Sequence, residues 1–253
     1  MPWITRAIAV PIVLAASLSA QTFDSASVKR SAPANPNGST FEFMAGGSLR
    51  VRNGTLRGLI ESAYDVRDFQ IAGGPAWLNV DRFDAFARSE SGSAPASPAD
   101  DTKASRLRLR TLLADRFRLV VHRETREMQE YALGVEKSGV KLRAEAASAP
   151  LIPGSGVQST CGHMTGTQTS IENLAVYLSR ELRRPVLNRT GLADRYNFEL
   201  NWTPDLAPCR DAPDRDAPSI FAALSEQLGL RLDSIKGPVE TIVVDRAEKP
   251  SED

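Results

Sequence analysis

Few residues of this chain have the reach for catalysis: two histidines, His122 and His163, and two cysteines, Cys161 and Cys209. His122 ends the apolar run from Phe117 and is followed by Arg123 and Glu124. As a general base it needs an orienting carboxylate and a nucleophile within about 3 Å. Glu124 falls on the same strand face, so a cross-face hydrogen bond or ion pair is the plainer role for both. Cys161, His163 and Cys209 are a conceivable metal set, but they lack the C-x-x-C spacing of a structural zinc site. No G-x-S-x-G, P-loop or H-E-x-x-H motif occurs. We therefore expect no catalytic set, no metal and no cofactor, and read Cys161 and Cys209 as a disulfide.

Glycine and aromatic residues offer binding chemistry instead. Gly73-Gly74-Pro75 followed by Trp77 reads as a tight turn that lifts an aromatic ring, and these four residues are the expected recognition feature. Gly46-Gly47 is a turn of the same kind. Neither pair sits between a strand and a helix, where a phosphate-cradling loop belongs. Trp202 is expected to pack on a sheet.

The charge balance narrows the partners. The 253 residues carry 31 Lys+Arg against 31 Asp+Glu, with 42% hydrophobic residues. That neutrality excludes a general nucleic-acid binder, which shows a basic excess. Arg106, Arg108, Arg110, Arg116 and Arg118 crowd one region. Only Arg106 and Arg110 share a helix face, so they form a solvated face beside Asp100, Asp101 and Asp115. Asn37, Asn53, Asn188 and Asn201 begin glycosylation sequons that we expect to stay unmodified.

Residues 1–20 read as a secretory signal peptide: Arg6, then an uncharged stretch from Ala7 to Ala20. As a helix, about 14 residues span only ~21 Å, short of a ~30 Å hydrocarbon core, although a retained anchor is the alternative. No later stretch approaches 18 apolar residues. The protein is thus expected to be exported, periplasmic or extracellular, with no stable transmembrane segment after cleavage. An oxidising compartment favours the Cys161–Cys209 disulfide.

The remaining chain reads as alternating strands and helices. A short strand over Phe23–Lys29 and one within Phe41–Arg52 precede a helix at Thr55–Tyr64, with Leu56, Leu59, Ile60, Ala63 and Tyr64 at helical spacing. Phe69–Ile71 and Arg82–Arg88 read as strands, 103–115 as a helix, and Phe117–His122 with Glu130–Glu136 as a hairpin. The second half repeats this: a strand near 160–167, a helix at 170–182, strands at Pro185–Leu187 and Arg195–Trp202, a helix at 218–228, and a hairpin of Leu230–Ile235 with Glu240–Asp245. Shifting the chain by 113 residues lays Tyr64 on Tyr177, Leu119 on Leu232, and Asp81-Arg-Phe-Asp84 on Asp194-Arg-Tyr-Asn197. We expect an α+β protein of two tandem two-layer modules, each of order β-α-β-β-α-β-β. Their sheets should be mostly antiparallel with helices on one face. The expected boundaries are 21–143, a linker at 144–158, and 159–253.

Several runs carry a family resemblance. Phe23–Lys29, Leu56–Tyr64, Gly73–Trp77, Arg82–Ala87, Leu112–Leu119, His122–Thr125, Tyr131–Leu133, Lys137–Leu142, Asn188–Tyr196 and Asp245–Pro250 resemble a large acidobacterial family of exported proteins. That family was named for its Solibacter paralogues and is known as a domain of unknown function. The resemblance implies no activity; some members carry the domain after a membrane-embedded sensor-type peptidase, which this chain lacks. Each half, Phe221–Leu232 above all, also resembles the small βαβ modules that open secretins and TonB-dependent receptors. The leading expectation is an exported, non-enzymatic binding or interaction module in envelope-associated sensing, its sheet edges open to a strand of an envelope or membrane protein. The competing expectation is a secreted hydrolase built around His122, Glu124 and Glu130. His122 in a buried pocket would favour the enzyme, and His122 on a solvated strand would favour the binder.

Overall fold

A computed structural model describes residues 22–32, 38–44, 46–89, 98–204 and 217–251. The expected signal peptide and Cys209 lie outside the described residues. The chain divides into two compact units whose sequences interlace. Unit 1 takes residues up to Val66, Ile71–His122 and Ile242 onward, and unit 2 takes Arg67–Gln70 and Arg123–Thr241.

Unit 1 is built on an antiparallel sheet of β1 (Ser25–Arg30), β2 (Thr40–Phe43), β3 (Leu49–Thr55) and a fourth strand, Arg82–Arg88. The helix α1 (Leu56–Tyr64) forms where the sequence expects it. Its Leu56, Leu59, Ile60 and Ala63 face the core, and the Thr55 hydroxyl accepts the Gly58 amide at 3.1 Å. It stops at Asp65, which turns left-handed. After α1 come the short β4 (Ile71–Gly73) and then the sheet strand β5 (Arg82–Arg88), giving the order β1-β5-β3-β2. The longer helix α2 (Pro98–Phe117) begins earlier than the sequence suggested and adds Leu109, Leu112, Leu113 and Phe117 to the core. The Arg110 guanidinium donates to the Ala63 carbonyl at 2.8 Å and lies 4.6 Å from the Tyr64 ring centre, so α2 satisfies an open carbonyl at the end of α1.

Unit 2 repeats the layering with a sheet of order β7-β11-β9-β8, made of β7 (Arg143–Glu145), β8 (Gly156–Thr160), β9 (His163–Thr169) and β11 (Arg195–Asn201). Between β9 and β11 lie α3 (Ile171–Leu182) and the short β10 (Val186–Asn188). Ser170 caps α3 through the Asn173 amide, and Ile171, Leu174, Ala175 and Leu178 face inward. Buried Ser179 donates to the Ala175 carbonyl at 2.7 Å and accepts the Val186 amide at 2.9 Å, which ties β10 to α3. The last helix, α4 (Ile220–Ala223), widens into a π turn over Leu224–Leu228 and ends at left-handed Gly229.

Each helix-bearing strand kinks at one residue. Asn53, at φ +52°, sends its amide to the Asp84 carboxylate at 2.8 Å; Gln168, at φ +45°, sends its amide to the Asn197 side chain at the same distance. The β3–β5 register slips between Val51 and Gly54, and the β9–β11 register between Tyr196 and Phe198. These bulges turn each strand into its helix.

Three expectations need correction. The two hairpins do not form: β6 (Val120–Val135) and β12 (Leu230–Arg246) are each one continuous strand. Residues 123–129 hold no Gly, Pro or Asn to start a turn, and Gly237 leaves the room that the Glu130 carboxylate fills. In unit 2, β10 pairs parallel with β6; in unit 1, β4 pairs parallel with the end of β12. From Ser25 and again from Arg143 the element order is therefore β-β-β-α-β-β-α-β, rather than β-α-β-β-α-β-β. Finally, residues 144–158 are no bridge between units, because β7 and β8, at their ends, form both edges of the unit 2 sheet. The fold is α+β, with mostly antiparallel sheets.

Candidate functional site

The Gly73–Trp77 turn is occupied by its own packing. Gly73 and Gly74 take φ +71° and +77°. A Cβ on Gly73 would stand 2.9 Å from the Val244 carbonyl, and one on Gly74 2.2 Å from Leu78. Pro75 starts a short helical turn, Ala76–Asn79. The half-buried Trp77 ring meets Phe83 edge-on at 6.2 Å, and the Lys249 ammonium lies 5.7 Å from its centre. Lys249 also reaches Asp81 at 2.7 Å. That hydrogen bond, joined by Arg30, outweighs partial desolvation and holds the Asp81 carboxyl below the usual range. The two glycines leave backbone at the surface, and the half-buried tryptophan ring lies between Phe83 and Lys249.

The residues of the hydrolase expectation do not converge. His122 stands on β6 with 53% of its side chain exposed, and its Nδ1 lies 2.9 Å from both Asp245 oxygens. This orienting carboxylate comes from β12, 123 positions away, so no local spacing could reveal it. Glu124 pairs with Arg126 at 2.7 Å, and Glu130 is buried at 4% exposure. His163 Nδ1 contacts the Asn201 side chain at 2.7 Å. Among the described residues no three of His, Cys, Asp and Glu gather as a metal set.

A cleft in unit 2 is the concave feature with mixed chemistry. Its volume is about 410 Å³, and its walls are the Ser159–Gly162 turn, the last turn of α3, and Trp202 with Pro204 and Ile220. Gly162 makes this wall: at φ +72° it accepts the Trp202 amide at 2.9 Å, and a Cβ there would sit 2.5 Å from the Trp202 carbonyl. From α3 come Tyr177, Arg180 and Glu181, with the Arg180 guanidinium 5.4 Å from the Tyr177 ring centre. Desolvation by the wall raises the Glu181 pKa, against a hydrogen bond from Ser159 that lowers it. Cys161 is not a free thiol. The sequence singles out Cys161 and Trp202 but not the cleft, because Tyr177, Arg180 and Glu181 look like an ordinary solvated helix end. A carboxyl, a guanidinium and two aromatic rings can grip a ligand.

No curated protein and no solved structure matches the chain, so the secretin and TonB-receptor likeness has no counterpart there. Among the described residues no helix is long and apolar enough to cross a membrane. A family model does match, over residues 57–247, which takes in α1 after Leu56, the cleft and the whole of β12. The chain therefore belongs to the family described as a protein of unknown function, DUF3738.

Proposed function

We propose that this protein is an exported, non-enzymatic binding module that takes its ligand, or a side chain of an envelope or membrane partner, in the unit 2 cleft. The placement of His122 carries the reading: the histidine around which a hydrolase would be built stands half-exposed on a strand, outside the cleft. What lines the cleft, Tyr177, Arg180, Glu181 and Trp202, is a gripping set. Export, removal of residues 1–20 and pairing of Cys161 with Cys209 belong to the same proposal, and a bonded Cys161 supports it. That disulfide would brace the cleft wall.

We further propose that the two units descend from one duplicated ancestor. Both sheets place their strands alike, and both carry the bulge clamp of Asn53–Asp84 and Gln168–Asn197. The shift is not constant: 115 at the helix caps Thr55 and Ser170, 113 at Asp84 and Asn197, and 111 at Phe117 and Leu228.

Ligand-observed NMR with a library of small aromatic amines and carboxylates tests the binding reading. We expect binders whose saturation transfer disappears in Trp202→Ala and weakens in Glu181→Gln. Binders indifferent to both substitutions, or no binder at all, would overturn it.

A further inference from the structure

The outer face of the unit 1 sheet differs in kind from its unit 2 counterpart. Alternation on β1, β5 and β3 buries Val28, Phe83, Ala85, Ala87, Leu49 and Val51 on one side. The other side presents Lys29, Arg50, Arg52 and Arg88 around Phe86, which is 45% exposed. The pairing places Arg50 directly opposite Phe86, and Phe86 opposite Ser27 on the edge strand. Two carboxylates share the face. Asp84 is engaged by the Asn53 amide and the Ser31 hydroxyl, and Glu42 lies opposite Arg50. Cations thus remain in excess.

In unit 2 the pair matching Arg50–Phe86 is Thr165–Glu199, beside Met164–Leu200 as Arg50–Phe86 is beside Leu49–Ala87. His163, Thr167, Asn197 and Asn201 add to that polar face, and its two arginines, Arg143 and Arg195, are matched by Glu145 and Glu199. A sheet of the same strand order, with the same bulge, therefore needs neither an excess of cations nor the exposed ring. Their presence on unit 1 calls for something outside the fold. Mutually repelling cations and a solvated phenyl are a cost that a partner of opposite charge relieves.

We propose that this face docks on an anionic lipid surface, with Phe86 entering the interface and Lys29, Arg50, Arg52 and Arg88 meeting headgroup phosphates. Side chains standing on one side of a sheet meet a broad surface together. Attraction of basic side chains to anionic leaflets and interfacial burial of aromatic rings act in the same direction here. This inference goes beyond the cleft and stands on different residues, so either can fail alone.

Vesicle co-sedimentation tests it. The full chain is mixed with vesicles of phosphatidylglycerol and phosphatidylcholine, and with phosphatidylcholine alone. All variants share one N-terminus, so residues 1–20 contribute equally to each. We expect binding to the anionic vesicles only, weakening with salt. Each cation lost should cost about fivefold, so Arg50→Glu/Arg88→Glu should weaken partition by at least ~25-fold. Phe86→Ser should weaken it by a smaller factor, and the charge-matched control Lys137→Glu/Lys236→Glu, on unit 2, should not resemble the face variant. Circular dichroism melting confirms that each variant folds. Equal partition of face and control variants would overturn the proposal. So would absent binding, equal binding to neutral vesicles, or binding to soluble polyglutamate without binding to vesicles.

Discussion

Asn53 and Gln168 carry an unusual share of the local structure. Each takes a positive φ that a side-chain-bearing residue rarely adopts, and each amide is aimed at a polar side chain on the central strand. Burial pushes the Asp84 pKa up, but the Asn53 amide and Ser31 hydroxyl, with the charges of Lys29 and Arg52, hold it below the usual range. Asp84→Ala should destabilise the protein by about 1–3 kcal/mol, read from denaturant melts, because a backbone amide loses its acceptor. Glu145, held down by Gln168 and Asn197, and Asp81 are lowered likewise. A carboxyl depressed in the folded state stabilises above its unfolded pKa of about 4, and that stability is lost as pH falls through the folded value. The Asp84→Asn penalty should therefore be full at pH 7 and shrink below pH ~4. Glu181 has the opposite sign: its raised pKa costs stability above the folded value, so Glu181→Gln should raise the melting temperature at pH 7 and leave it unchanged at pH ~3. The alignment of Asp81-Arg-Phe-Asp84 with Asp194-Arg-Tyr-Asn197 was legible in the sequence. That its last residues clamp a bulge was not, since a bulge has no composition of its own.

The helices were read well and the long strands poorly, for a physical reason. In α1 and α3 one apolar stripe and one hydroxyl cap define the element locally, and both signals lie within about a dozen residues. In β6 and β12 the apolar ends flank a polar middle, which suggests two strands and a turn, whereas pairing elsewhere in the chain decides the matter. Lys236-Gly237-Pro238 strengthens that misreading, yet Gly237 serves there to admit Glu130. At this scale Ser179 is the sharpest test. Ser179→Ala strips the Val186 amide of its acceptor in a buried site and should cost about 1–3 kcal/mol. Hydrogen exchange at Val186 should speed up more than at α1.

Neither unit is a contiguous piece of sequence, so no boundary drawn from composition could have separated them. The Ala-, Ser- and Pro-rich stretch at 144–158 looked like a linker because its strands are short edges, which need little apolar content. Ending the chain at Thr241 should take Ile242 and Val244 from the unit 1 core and free His122 from Asp245. The loss should be about 3–6 kcal/mol at 1.5–3 kcal/mol for each apolar side chain, seen as faster exchange in α1 and β5. At this scale the account rests on side chains that pack and bind without catalysing. The direct measurement is turnover of a panel of ester and peptide substrates by the purified chain, beside His122→Ala. The account predicts no turnover above buffer for either protein, both melting alike within about 1 kcal/mol, as a surface-exposed pair allows. Saturable turnover that His122→Ala abolishes while the fold persists would contradict it.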